Sequence, residues 1–263
     1  MRVIVTRPQR EAQDWVQALR QAGHEAVALP LIAIGPPPDP ALVRRTWQRL
    51  GDFQGVMFVS ANAVAGFFAA RPAEAADFSA AAVHTRAWAT GPGTLKALLG
   101  AGVPPQRIDA PPADAPQFDS EALWQIVGSA IGPGTRVLIV RGADAADGAS
   151  SQGAGRDWFA RQVTQAGGTV DLVASYQRQS PQLDATQLQL ARSAAGDGTV
   201  WLFSSSEAVH NLRACLPQQD WGAARAIATH GRIAQAAREA GFGVVRESRP
   251  ALADIRASIE SMQ

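Results

Sequence analysis

The sequence predicts an α/β protein of two similar parallel-sheet domains, each three-layered and flavodoxin- or Rossmann-like, with the chain crossing between them twice. Three observations carry this. Short apolar runs alternate with amphipathic stretches of helical length, the pattern of parallel α/β proteins. Three strand–helix units recur in the same order along the chain. Linker-like, proline-containing segments interrupt both copies of that series at the same internal point.

The first unit opens with a strand ending at Thr6, Arg7 and Pro8, which passes into a helix carrying apolar Trp15, Val16 and Leu19. Ala22 and Gly23 close that helix, glycine supplying the turn at its end, and a strand over 26–34 follows. The second unit is a strand over 56–59 running into Ser60, Ala61, Asn62 and a helix. The third is a strand over 87–90, the turn Gly91, Pro92, Gly93, Thr94, a helix, and Ala101-Gly102. All three then recur. A strand over 137–141 is followed by a helix ending at Ala166-Gly167 and a strand over 169–176. Next, Phe203, Ser205, Ala208 and Val209 match Phe58, Ser60, Ala63 and Val64 at one constant offset. A strand over 226–229, a turn, a helix and Ala240-Gly241 complete the series, so the chain reads as an old duplication. The main irregularity is 142–155, a Gly/Ala/Ser-rich stretch lengthening the second copy of the first loop.

A tandem division would cut near Pro111–Pro116, but the linker-like segments are 35–40, with four prolines, and 177–181. Proline stiffens such segments into spacers. The expected domains are therefore 1–34 plus 178–263, and 37–175, with linkers at 35–36 and 176–177. The first units would have been exchanged between the domains.

Composition narrows the function. The chain has 263 residues, 46% of them apolar and 18% charged, which suits a well-packed globule. A net charge of +1 argues against a nucleic-acid footprint. No apolar run approaches the roughly 20 residues that span a bilayer, and the N-terminus lacks a signal-peptide core, so a cytoplasmic protein without membrane contact is expected. Cys215 is the only cysteine, which leaves no disulfide framework and no thiolate metal cluster. Lys96 is the only lysine. That bias fits a GC-rich genome, and it equally fits arginine forks recruited for carboxylates.

The repeated polar signatures all follow strands, and in a parallel sheet ligands bind beyond the carboxyl ends of the strands. Ser60, Ala61 and Asn62, and in the other copy Ser204, Ser205 and Ser206, open helices whose free N–H groups can take a carboxylate. Plain N-capping explains the serines equally well. Gly91 through Thr94 could cradle an anion, yet the further glycine of a dinucleotide fingerprint is missing and no phosphate loop exists. His24, His84, His210 and His230 share no metal-ligand spacing, and a Gly-x-Ser-x-Gly elbow is absent. No metal or cofactor is expected. His24 and His84 read as surface residues, while His230 stands at a strand end and is a candidate contact. Tyr176, the only tyrosine, lies where a strand leaves one domain. Its phenol could hydrogen-bond a leaving hydroxyl, or its ring could pack at a hinge.

Arg7-Pro8, Phe58 through Val64, Thr90 through Thr94, Val140 through Gly142 with Gly155-Arg156, Ser175 through Arg178, and Phe203 through Val209 together resemble the uroporphyrinogen-III synthase family. The resemblance covers nearly the whole chain. It implies two α/β domains on a two-stranded connection and a cofactor-free cyclisation of hydroxymethylbilane, a linear tetrapyrrole with eight carboxylates. Loss of the terminal hydroxyl gives an azafulvene cation. Attack at a substituted pyrrole carbon then gives a spiro intermediate, whose rearrangement inverts ring D. Holding one cyclisation geometry is the main task, with a general acid to ease departure of the hydroxyl. The resemblance implies Tyr176 for that acid. Expected substrate contacts are Arg7, Ser60, Ala61, Asn62, Gly91, Thr94, Arg141, Ser204, Ser205, Ser206, Thr229, His230 and Arg232. The family turn of Gly-Pro followed by threonine reads Thr229, His230, Gly231, Arg232 in the second copy, so any of Thr229, His230 or Arg232 could fill the threonine's place. The 142–155 insertion alters the spacing of Arg141 and Arg156.

The leading expectation is thus a monomeric lyase acting on a small molecule. Two other classes fit the α/β pattern. A two-domain binding protein would normally be exported and carry a signal peptide. A nucleotide-dependent oxidoreductase would carry the glycine fingerprint.

Overall fold

The computed structural model describes residues 1–80, 84–115, 117–143 and 154–262. They form two compact units, Met1–Ala33 with Gln179–Gln263, and Ile34–Arg178, so the chain passes from one unit to the other twice. The first begins with β1 (Arg2–Val5), α1 (Gln9–Gln21) and β2 (Glu25–Ala28). There follow β3 (Ala33–Gly35), α2 (Pro40–Gln48), β4 (Gly55–Phe58), α3 (Ala61–Ala69), β5 (Arg86–Ala89) and α4 (Pro92–Gly100). The second unit continues through β6 (Ile108–Asp109), α5 (Ser120–Val127), β7 (Arg136–Ala143), α6 (Ala154–Gln165) and β8 (Thr169–Gln179). The first unit resumes with α7 (Ala185–Ser193), β9 (Val200–Phe203), α8 (Ser206–Cys215) and β10 (Arg225–Ala228). It ends with α9 (Gly231–Glu239), β11 (Val244–Glu247) and α10 (Leu252–Glu260).

In the first unit the sheet order is β11-β10-β9-β1-β2, with all neighbours parallel. In the second it is β3-β8-β7-β4-β5-β6, with β8 through β6 parallel and β3 at the edge. Each sheet is covered on both faces, which is why its central strands are continuous apolar runs. Ile4, Trp201, Phe203 and Ala226 face α8 and α9, while Val3, Val5, Leu202 and Ile227 face α1 and α10. Val56, Phe58, Leu138 and Val140 face α2, α3 and α4, while Met57, Trp88 and Ile139 face α5 and α6. The three-layer α/β class predicted from the sequence is the observed one.

Helix ends follow the glycines. Gly23 sits at φ 86, where a side chain would be strained, and its N–H meets the Arg20 carbonyl at 3.0 Å. Its repeat counterparts Gly102, Gly167 and Gly241 also have positive φ.

One local expectation is corrected. The single strand over 26–34 is two strands, because Pro30 has no N–H to give to a ladder. β2 ends at Ala28, although Leu29 and Leu31 still donate to the Val5 and Thr6 carbonyls at 3.0 and 3.2 Å. β3 then starts at Ala33 in the other sheet. Tyr176 and Gln177, expected as part of a two-stranded linker, lie within β8, which runs on to Gln179 with β3 beside it. Of the lengthened loop over 142–155, residues 144–153 lie outside the described residues, while Gly142 and Ala143 belong to β7.

Candidate functional site

The loop after β4 is built by one serine. Ser60 is extended at φ −166 and caps α3, its Oγ accepting the Ala63 N–H at 3.1 Å. Ala61 and Asn62, both partly buried, form the first turn. In the first unit Ser205 does the same for α8, accepting the Glu207 N–H at 3.2 Å. Ser204 precedes the cap, and Ser206 opens the helix with its hydroxyl donating to the Arg232 carbonyl at 3.4 Å. Capping is therefore what Ser60 and Ser205 do, and each keeps a hydroxyl proton that the cap does not use.

The loops after β5 and β10 differ. Gly91 is the cap residue of α4 and contributes no side chain. Pro92 follows at the first helical position, where its missing N–H costs nothing, and Thr94 is buried. At the start of α9, His230 is the cap, its Nδ1 accepting the Arg232 N–H at 3.1 Å. The half-buried Thr229 donates its N–H to the Phe203 carbonyl at 3.1 Å. Counted from the helix start, Ile233 stands where α4 has Thr94. Thr229 corresponds to Thr90 instead, so the first unit has no threonine at that place. His230 and Arg232 are the exposed polar groups of this loop.

Arg7 and Arg141 were expected at matching strand ends. Arg7 does follow β1, but Arg141 lies inside β7, which continues to Ala143. Arg7 is engaged within its own unit. Its Nη1 donates to Glu11 at 3.3 Å, and its guanidinium stacks 4.9 Å from the Trp15 ring centroid. Its Nε is out of solvent without a hydrogen-bond partner. Burial pulls the guanidinium below its ordinary pKa, with Glu11 acting in the opposite direction. His24, expected on the surface, is half-buried with Nε2 out of solvent and unpartnered.

Tyr176 is 3% exposed, and its hydroxyl lies 3.3 Å from Ser60 Oγ. A β-bulge places it there. In the β7–β8 register Arg141 pairs with Ala174, but Gly142 pairs with Tyr176, so Ser175 is the extra residue. Ser175 Oγ donates to the Ala63 carbonyl at 2.9 Å. Sequence reasoning assigned no role to Gly142 or Ser175. The extra residue shows only in the pairing of β8 with β7, although a glycine inside a strand, here Gly142, is the kind of residue that accompanies a bulge. A separate cavity of about 460 Å³ lies between α2 and the start of β8, lined by Leu42, Thr46, Phe53, Asp171 and Leu172 among others. None of the expected contacts lines it. Among the described residues no group of His, Cys, Asp and Glu could hold a metal, and no helix is long and apolar enough to cross a membrane.

A family profile described as Uroporphyrinogen-III synthase HemD matches residues 13–255. No curated protein matches the chain significantly. Among solved structures, the uroporphyrinogen-III synthetase of Helicobacter pylori superposes with a TM-score of 0.59 at 15% identity, covering 100% of both chains. A mutant uroporphyrinogen III synthase from Thermus thermophilus gives 0.52 at 15% identity, covering 100% of this chain and 98% of that one. At that identity the two structures speak for the fold.

Proposed function

The chain belongs to the uroporphyrinogen-III synthase family, and we propose that it is a lyase closing hydroxymethylbilane into uroporphyrinogen III, with loss of water and inversion of ring D. Uroporphyrinogen-III synthesis is a step of haem biosynthesis. The observation that carries the reading is the family match over residues 13–255, which runs through both sheets. It sets aside the binding-protein and oxidoreductase readings.

The chemistry asks for little covalent help. The hydroxymethyl C–O bond breaks, the oxygen leaving as water once it has gained a proton, and a carbon–carbon bond forms at the substituted carbon of ring D. The older methylene bond at that carbon then breaks and re-forms at ring D's free carbon, which gives up a proton, so the ring is inverted. The protein's contribution is orientation, worth several kcal/mol where a reactive geometry is held. First-turn N–H groups of α3, α4, α8 and α9 are suited to the substrate's carboxylates. Asn62, Ser204, Ser206, Thr229, His230 and Arg232 add polar side chains at the same strand ends. Arg141 is kept as a candidate cation. Tyr176 is the candidate acid, its phenol reaching the loop that opens α3. The protein works in the cytoplasm as a monomer.

Purified protein incubated with freshly made hydroxymethylbilane, followed by separation of the uroporphyrinogen isomers, tests the reading. The inverted isomer is expected well above the spontaneous rate. Formation of the uninverted isomer only, at the rate seen without protein, would overturn it.

A further inference from the structure

Resting on the reading of Tyr176 as the proton donor, we infer that Ser60 and Gly142 are positioning residues that aim its phenol. The bulge comes first. Val173 and Ser175 are two apart on β8 and share the face covered by α3, as the Val173 packing and the Ser175–Ala63 hydrogen bond show. Strict alternation would turn Tyr176 to the opposite face, beside Ala174. The extra residue at the bulge returns it to the α3 face, where it packs in the same cluster as Val173.

Gly142 makes the space. A Cβ at that position would stand 2.6 Å from Tyr176 Cζ and 2.9 Å from its hydroxyl oxygen, closer than atoms can approach. Any side chain there moves the ring. Ser60 then fixes the hydroxyl. Its Oγ accepts the Ala63 N–H and keeps its own proton, and on this inference that proton goes to the phenol oxygen 3.3 Å away. With the phenol oxygen accepting, the phenol's own proton is directed away from Ser60 and is free for the substrate's departing hydroxyl.

The test is a double-mutant cycle read by kcat, KM and isomer ratio, with thermal melting as the check on folding. Tyr176→Phe is expected to lower kcat at least about tenfold. Ser60→Ala should lower it roughly three- to tenfold, the worth of one hydrogen bond, with KM little changed and more uninverted product escaping. Introduced into Tyr176→Phe, Ser60→Ala should add no further loss, because the group it acts through is gone. Ser60→Thr, which keeps both cap and proton, should recover most of the activity lost in the alanine variant. Gly142→Ala should lower kcat like Tyr176→Phe. Losses at Ser60 and Tyr176 that multiply, or a folded Gly142→Ala with native kcat, would overturn the positioning inference while leaving Tyr176 as the acid. Tyr176→Phe at native kcat would overturn the reading of Tyr176 and the inference together.

Discussion

Thr6, one residue beyond β1, has no exposed surface, and both its N–H and its hydroxyl point at one carbonyl. The distances to the Leu202 oxygen are 3.3 Å from nitrogen and 2.8 Å from Oγ1. Removing the hydroxyl while keeping the shape, as in Thr6→Val, should cost about 1 kcal/mol, visible as a lower denaturation midpoint with an unchanged slope. A midpoint unchanged within error would show the hydroxyl to be idle. Its neighbour Arg7 is read from its geometry as a tether, since a guanidinium already paired with Glu11 and stacked on Trp15 has little left for a substrate carboxylate. Arg7→Met keeps the stem on Trp15 and drops the charge. KM should stay within about threefold of native, because on this reading the partly buried pair with Glu11 holds the loop to α1 and makes no substrate contact worth more than about 1 kcal/mol. A tenfold rise would restore Arg7 as a binding residue. How much of this was legible depended on whether a residue's task is local. Ser60 and Ser205 were readable as helix openers because capping needs only their own next residues. Thr6, Gly142 and Ser175 were not, since their partners are Leu202, Tyr176 and Ala63, brought close only by the fold.

Elements were legible where punctuation was chemical. The four Ala-Gly pairs marked helix ends, and each glycine does adopt positive φ. Strand limits were harder. Pro30 splits the run over 26–34, and the polar residues Gln177 and Gln179 look like linker although they extend β8 beside β3, a pairing between segments far apart in sequence. Helix and strand come close at α3. A Cβ on Gly66 would fall 2.2 Å from the Ser175 carbonyl oxygen, which is backbone and cannot swing aside. Gly66→Ala would gain helix propensity in an isolated peptide. Here it must push α3 off β8, so a loss of roughly 1–3 kcal/mol is expected. Circular dichroism during thermal unfolding decides the sign, and a variant as stable as the native protein would mean that α3 shifts freely. Because Ser60 opens α3 and Tyr176 lies on β8, the same substitution should also lower turnover.

At the scale of the whole molecule, the duplication was the clearest message of the sequence, and it also shows where the copies have parted. Both sheets open their central helices with serine caps, but Ile233 replaces the counterpart of Thr94, and His230 replaces that of Gly91. Each unit has its own two-faced core. Phe203 stacks on Trp201 at 6.0 Å in the first, and Phe67 stacks on Trp47 at 4.4 Å in the second. Both phenylalanines are fully buried. Replacing either by leucine removes ring contacts at a cost of roughly 1.5 kcal/mol. For a unit of this size that lowers its melting temperature by roughly 4–8 °C. If each core is a separate cooperative unit, calorimetry on the native protein should show two transitions, or one whose calorimetric enthalpy exceeds the van't Hoff value. Phe203→Leu should then lower one transition and Phe67→Leu the other. A single two-state transition that moves equally with both substitutions would show that the two cores melt as one.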